Sequence, residues 1–250
     1  MSGVHPVAAA GFGAAADVYE RARPSYPDAA LRWIAEHAGL AAGRTVVDVG
    51  AGTGKLTRLL AGTHARVIAV EPVVGMRAVL QERVPGIEIM HGVAEALPLP
   101  DATADVVTVA QAFHWFDHAK AVPELRRVLK PGGCLVLIWN SRDMSDPLQH
   151  ALEELLAPLR EEAPYQLGGA WRGPLEESGL FGPAEEAQFA IVQELTTEGV
   201  SERVASTSFV AAMSPAEREA LLERVRALSA GRPEPFAFPY VTEVYLTRTR

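Results

Sequence analysis

Cysteine is almost missing from this chain of 250 residues: Cys134 stands alone. An intrachain disulfide is excluded. At the head of an apolar run, Cys134 reads as a small buried hydrophobe rather than a reactive thiol. Positive charge is also scarce. Lys and Arg number 23 against 31 Asp and Glu, a formal net charge of −8. A phosphate backbone needs a basic face, so nucleic acid is not the expected partner. No apolar run approaches the roughly 18 residues of a membrane span. Residues Met1 to Pro6 lack the basic and apolar stretches of a secretory leader, so none is expected. No tandem repeat or long low-complexity linker divides the chain. These absences lead us to expect a soluble, cytoplasmic protein, monomeric or homodimeric, with no membrane partner.

Hydrophobic residues make up 48% of the chain, enough for a full core. The organising stretch is Thr45 to Lys55. Its first five residues, Thr-Val-Val-Asp-Val, read as a strand buried on both faces. Gly50, Gly52 and Gly54 follow at alternate positions, and Lys55 opens a helical pattern. Strand, glycine turn and helix bring backbone N–H groups close to a ligand. The spacing is G-x-G-x-G, whereas a pyrophosphate-bearing dinucleotide favours G-x-G-x-x-G. A second buried strand, Arg66 to Val70, runs into Glu71. A carboxylate about 20 residues beyond the turn is placed for ribose hydroxyls.

Further strands are expected at Ile87–Met90, Asp105–Ala110, Leu135–Trp139, Glu185–Glu194 and Tyr240–Thr249. Helices are expected at Ala29–Ala38 with Asp28 as N-cap, Val73–Val84, Ala119–Leu129, Leu148–Leu159, Glu202–Val210 and Pro215–Ala230, the last capped by Ser214. Alternating strands and helices argue for a doubly wound, mostly parallel α/β sheet. Its fourth strand should lie beside the first, where the strand order reverses and ligands bind. That places Gln111–Phe116 opposite the glycine turn. Residues 1–35 are expected to form an N-terminal arm or lid over a main domain spanning 36–250. Within it, 145–235 should carry the segments that cover an acceptor.

Four blocks in order then resemble a known family, the class I S-adenosylmethionine-dependent methyltransferases. They are Val47 to Gly54, Val67 to Pro72, Ala94 to Pro98 and Leu129 to Gly133. With Tyr19, Arg23-Pro-Ser-Tyr-Pro27 and Ala112 to Asp117, the chain also resembles the small-molecule branch that includes trans-aconitate-methyltransferase-like proteins. The resemblance implies a seven-stranded Rossmann-like sheet with its last strand antiparallel and a helical cover. It implies S-adenosylmethionine as cofactor and a small molecule as methyl acceptor. It also implies that Gly50, Ala51, Gly52, Thr53 and Gly54 pass under the cofactor, with Asp48 organising the turn near the ammonium. Glu71 should take the ribose hydroxyls, Pro72 and Met76 flank adenine, and Ala94 offer its N–H to the adenine edge. Val93 stands where the family often has Asp, so backbone contacts or Glu95 are expected to substitute.

The cofactor's sulfonium and ammonium suit carboxylates and aromatic faces, and its carboxylate suits Arg21 or Arg23. Tyr19 and Gln111 complete the expected cofactor set. His114 is the candidate general base, with substrate contact and packing as its other readings. Trp115 reads as an acceptor wall, and Tyr165, Trp171 and Phe209 as candidate linings. His114 and His118 stand at i, i+4, but with no third ligand no metal is expected. Two other functions remain open at this level: a non-catalytic S-adenosylmethionine-binding protein, and an NAD(P)-dependent oxidoreductase.

Overall fold

A computed structural model describes residues 16–160 and 171–250. Among them seven strands form one sheet in the order β3-β2-β1-β4-β5-β7-β6. The strands are β1 (Thr45–Val49), β2 (Arg66–Val70), β3 (Glu88–Met90), β4 (Ala104–Ala110), β5 (Leu129–Arg142), β6 (Glu185–Leu195) and β7 (Phe236–Arg248). β1 to β5 pair in parallel; β7 runs antiparallel to both β5 and β6. The order reverses between β1 and β4, as expected.

Helices lie on both faces. They are α1 (Ala16–Ala22), α2 (Asp28–Ala38), α3 (Lys55–Ala61), α4 (Val74–Arg83), α5 (His118–Val128), α6 (Pro147–Leu156), α7 (Arg172–Glu177), α8 (Thr197–Ala205), α9 (Ser208–Ala211) and α10 (Pro215–Ser229). Side chains alternate along the central strands. Val47, Val107, Leu135 and Leu137 face α5, while Val46, Val106, Cys134 and Val136 face α2 and α3. This two-sided burial is why the strands read as continuous apolar runs. A third apolar cluster joins α6, α8 and α10 to Phe238 and Tyr240 of β7 and forms the cover.

Local chemistry sets most boundaries. Ser214 and Glu217 form a reciprocal capping box at the start of α10, with Pro215 in its first turn. Asp146 caps α6 by accepting the Gln149 N–H at 2.9 Å. Five boundaries differ from expectation. Pro27, not Asp28, occupies the N-cap of α2, with no side-chain cap. Ile34 in α2 is fully buried, so this helix belongs to the core and a 35/36 division cuts through it. α5 passes into β5 without a loop; Lys130–Gly133 bulges between the Ala104–Leu129 and Val106–Cys134 pairings. The helix expected over Glu202–Val210 breaks at Ser206, whose hydroxyl bonds the Arg203 carbonyl at 2.7 Å. β7 starts at Phe236 rather than Tyr240 and carries Pro239 opposite Val192.

Candidate active site

At the C-terminal ends of β1 and β4 the backbone turns sharply. Gly50, Gly52 and Gly54 have φ of 69°, 59° and 86°, in the left-handed region that side chains avoid. Their surroundings differ. A Cβ on Gly54 would lie 2.4 Å from Leu80 Cδ1, so this glycine lets the turn pack on α4. A Cβ on Gly52 would meet nothing within 4 Å. Gly52 therefore presents bare backbone to open space.

Glu71, one residue beyond β2, is buried and held from two sides. One oxygen accepts the Gly52 N–H at 2.9 Å and the other the Val73 N–H at 2.8 Å. Burial raises its pKa, and the two backbone donors oppose that rise. Each oxygen keeps a further acceptor direction. Asp48 sits behind the turn, fully buried, accepting the hydroxyls of Thr57 at 2.6 Å and Thr108 at 2.9 Å. Burial pushes its carboxyl up to about 6 despite both bonds. It locks β1, β4 and α3 together and is on neither cavity wall described below.

The opposite wall follows β4. Gln111 has a left-handed φ of 57°, a strain that non-glycine residues seldom carry. Its N–H bonds the Ile138 carbonyl at 3.0 Å and its side-chain amide reaches the Asn140 carbonyl at 3.3 Å. A single tight turn, Phe113–Trp115, comes next. Phe113 is buried and stacks on His118 with ring centroids 4.7 Å apart. His114 lies 5.1 Å from the Trp115 ring. Its Nδ1 is sealed from solvent without a partner among the described residues. Burial, then the nearby Arg23 guanidinium and His118, push its pKa down to about 3.

Two cavities adjoin at the turn. The first encloses about 780 Å³, mouth included, between the Glu71–Val73 and Met76 side and the Gln111, Ala112, Trp115 and Phe116 wall. Gly92–Glu95 form its far end. The second, about 470 Å³, shares Tyr19, Gly50, Gly52, Ala110 and Gln111 with the first and adds Arg23, Lys55, Asn140 and Arg203. α1 roofs the junction. Glu20 accepts the Thr53 hydroxyl at 2.6 Å and pairs with Arg58 at 2.8 Å and Lys55 at 3.5 Å. Arg23 donates to the Ser206 hydroxyl at 3.1 Å and its carbonyl at 3.0 Å, with its guanidinium 5.0 Å from the Tyr19 ring. One helix thus joins the glycine turn to the cover.

Of the residues singled out from sequence, Tyr19, Arg23, Gly50, Ala51, Gly52, Thr53, Glu71, Pro72, Met76, Ala94, Glu95, Gln111 and Trp115 line one cavity or both. Gly54 and Asp48 stand behind the turn, and Arg21 is exposed. His114 borders neither cavity. Trp171 is corrected outright: it is buried in the core, 4.7 Å from both Trp139 and Tyr245 by ring centroid. Phe209 packs into the apolar cluster of the cover. Tyr165 lies outside the described residues. Sequence reasoning missed Glu20, Asn140 and Arg203. Asn140 carried one usable signal, its place at the carboxyl end of a parallel strand.

The cleft fits S-adenosylmethionine. Gly52 leaves room for close backbone approach, a carboxylate stands where a ribose would lie, and Pro72, Val73 and Met76 form an apolar slot. This sheet order and turn define a Rossmann-like transferase of the class I methyltransferase type. Residues 47–137 match the methyltransferase domain family. An uncharacterized methyltransferase of Mycobacterium tuberculosis is 39% identical over 240 residues, 92% of each chain. A ubiquinone/menaquinone biosynthesis C-methyltransferase of Enterobacter sp. is 30% identical over 182 residues, 68% of this chain and 72% of that one. A putative methyltransferase from an antibiotic biosynthesis pathway of Anabaena variabilis shares the fold, with TM-score 0.67 at 24% identity over 90% of this chain and 98% of that one. The chain belongs to the class I S-adenosylmethionine-dependent methyltransferases. It is an enzyme that uses S-adenosylmethionine, which removes the oxidoreductase and non-catalytic alternatives. Among the described residues no helix is long and apolar enough to cross a membrane.

Proposed function

We propose that this enzyme methylates a small molecule by direct in-line transfer, with the cofactor's nucleoside along the first cavity, its methionine end reaching the turn that both cavities share, under Tyr19 and Arg23, and the acceptor meeting the methyl group on the side walled by Trp115. The observation that carries this reading is the pair of cavities meeting at Gly50, Gly52 and Gln111. A relative that is a C-methyltransferase of quinone biosynthesis also supports a small acceptor. Bound there, S-adenosylmethionine supplies a methyl group on a cationic sulfur, taken by an acceptor lone pair as the carbon–sulfur bond breaks.

The chain's residues bind and orient. Glu71 offers its two open acceptor directions to the ribose hydroxyls. Pro72, Val73 and Met76 hold the adenine face, and the Ala94 N–H meets its edge. One Glu95 oxygen already accepts the Asp117 N–H at 2.8 Å. The other is left to replace the aspartate missing at Val93. Arg23 and Tyr19 close over the methionine end, while Trp115 walls the acceptor side. Alignment of acceptor and methyl supplies up to roughly 7–11 kcal/mol of the barrier. His114 enters as support for Trp115 rather than as a base. A base works best with a pKa near the working pH, and burial holds this imidazole at about 3.

Incubation with methyl-labelled cofactor and a cell extract separated by dialysis tests the reading. Label should enter the dialysable fraction. Label confined to the macromolecular fraction would overturn it.

A further inference from the structure

We infer that Glu20 is a positioning residue for the cofactor: from outside both cavities it clasps α1 to the glycine turn, and so sets how firmly Tyr19 and Arg23 close over the methionine end and how fast the cofactor exchanges. This rests on the placement of that end under Tyr19 and Arg23 proposed above. α1 has seven residues. A helix that short does not hold itself in water, so packing has to keep it in place. It is held at three points. Tyr19 packs on Val73, Met76 and Val79, beside the adenine slot. Arg23 bonds Ser206 of the cover. The Arg23 N–H reaches the Tyr19 carbonyl at 3.1 Å, so helical spacing continues one residue past α1. Tyr19 and Arg23 therefore share one face, and both line a cavity.

Glu20 is the third point, and it borders neither cavity. Its carboxylate takes the Thr53 hydroxyl, Arg58 and Lys55 together, and Lys55 also donates to the Glu20 backbone carbonyl at 2.6 Å. All three partners belong to the glycine turn and the start of α3. Lys55 and Arg58, three residues apart, present both cations on one side of that helix. Burial raises the Glu20 carboxyl, and these partners more than offset it, holding it below its ordinary value and ionised at neutral pH. With 13% of the side chain exposed, water screens the clasp poorly. A ligand that rearranges Tyr19 or Arg23 leaves this contact intact. Glu20 is thus what keeps α1 over the junction while the cofactor end is bound or exchanged.

Arg21 supplies the readout. It is exposed on α1 and is the first tryptic site of the chain, while the bond after Arg23 precedes Pro24 and resists trypsin. Cutting after Arg21 requires α1 to open, and cutting after Arg127 on α5 requires the core to open. Glu20→Gln keeps an acceptor for Thr53 and removes the charge that holds Lys55 and Arg58. It should speed cutting after Arg21 by about 5- to 30-fold and leave cutting after Arg127 within about threefold. S-adenosylhomocysteine should slow cutting after Arg21 in the parent. Its dissociation rate, followed by stopped-flow displacement, should rise in E20Q by a factor similar to that of the cutting, with association changed less than about threefold. R58Q removes one cation without touching α1 and should act in the same direction, less strongly. E20D should fall between the parent and E20Q. A dissociation rate that does not move in E20Q, or cutting that rises equally after Arg21 and Arg127, makes Glu20 a fold-stabilising contact only; that overturns this inference and spares the placement of the methionine end. Failure of S-adenosylhomocysteine to protect Arg21 in the parent overturns both.

Discussion

Replacing Glu71 by Gln keeps the size of the side chain and removes one acceptor and the charge. In the parent, each carboxylate oxygen holds one backbone N–H, from Gly52 at 2.9 Å and Val73 at 2.8 Å. Glutamine must turn its NH2 toward one of them, donor against donor. A hydrogen bond to a charged group contributes about 1.5–3 kcal/mol. Burial already disfavours the charge, so relief of that penalty offsets part of the loss. We expect stability to fall by about 1 kcal/mol. Cofactor affinity should fall further, because one ribose hydroxyl loses its carboxylate acceptor. A loss of about 1.5–3 kcal/mol corresponds to roughly 10- to 150-fold in Kd. Calorimetry with S-adenosylhomocysteine and its 2′-deoxy and 3′-deoxy analogues separates the two effects. The parent should discriminate against at least one deoxy analogue, and Glu71→Gln should lose most of that discrimination. Equal discrimination by both proteins would mean that Glu71 only braces the turn, and the ribose argument would fail.

Asp48 makes a prediction of opposite sign. Its folded pKa, about 6, exceeds the ordinary 3.8, so the stability it lends is present below pH ~4 and lost as pH rises through ~6. Asp48→Asn should flatten the denaturation profile over that window and stabilise the protein at pH 7 by about 1–3 kcal/mol; an unchanged profile would refute this. The two glycines should separate packing from binding. Gly54→Ala drives a Cβ into Leu80 and should lower stability by about 2–4 kcal/mol. Gly52→Ala should cost only about 1–2 kcal/mol in thermal melts yet weaken S-adenosylhomocysteine binding more than about tenfold. The reverse pattern would contradict the open-space reading of Gly52. His114→Gln should change kcat less than about tenfold and leave its pH profile in place. A loss of 10²–10⁴ would make His114 a base after all.

Much of this fold is legible because its core strands are covered on both faces. Val46–Val49, Val67–Val70 and Val106–Val109 are rich in valine that alternates between two apolar layers, with the polar Asp48 and Thr108 at paired positions bonding each other. The glycine turn and Glu71 are legible because chemistry and chain geometry agree there. What escaped notice depends on contacts between distant segments. Arg203 is one arginine on a helix, until folding brings it to the cavity that also holds Arg23. Ser206 ends that helix partly because its hydroxyl and carbonyl serve Arg203 and Arg23. Trp171 read as a pocket wall because an isolated aromatic residue gives no burial signal. Folding places it against Trp139 and Tyr245, where it closes the core over β5 and β7. His114 looked reactive beside aromatic residues, but its Nδ1 is shut off from solvent with no partner among the described residues.

A crystal structure with S-adenosylhomocysteine tests the central claim most directly. The account predicts the ribose hydroxyls within about 3.2 Å of the Glu71 oxygens, adenine between Met76 and Ala94, and the sulfur at Gly50 and Gln111 open toward Trp115. A nucleoside seated in the second cavity, or a ribose that does not touch Glu71, would contradict it.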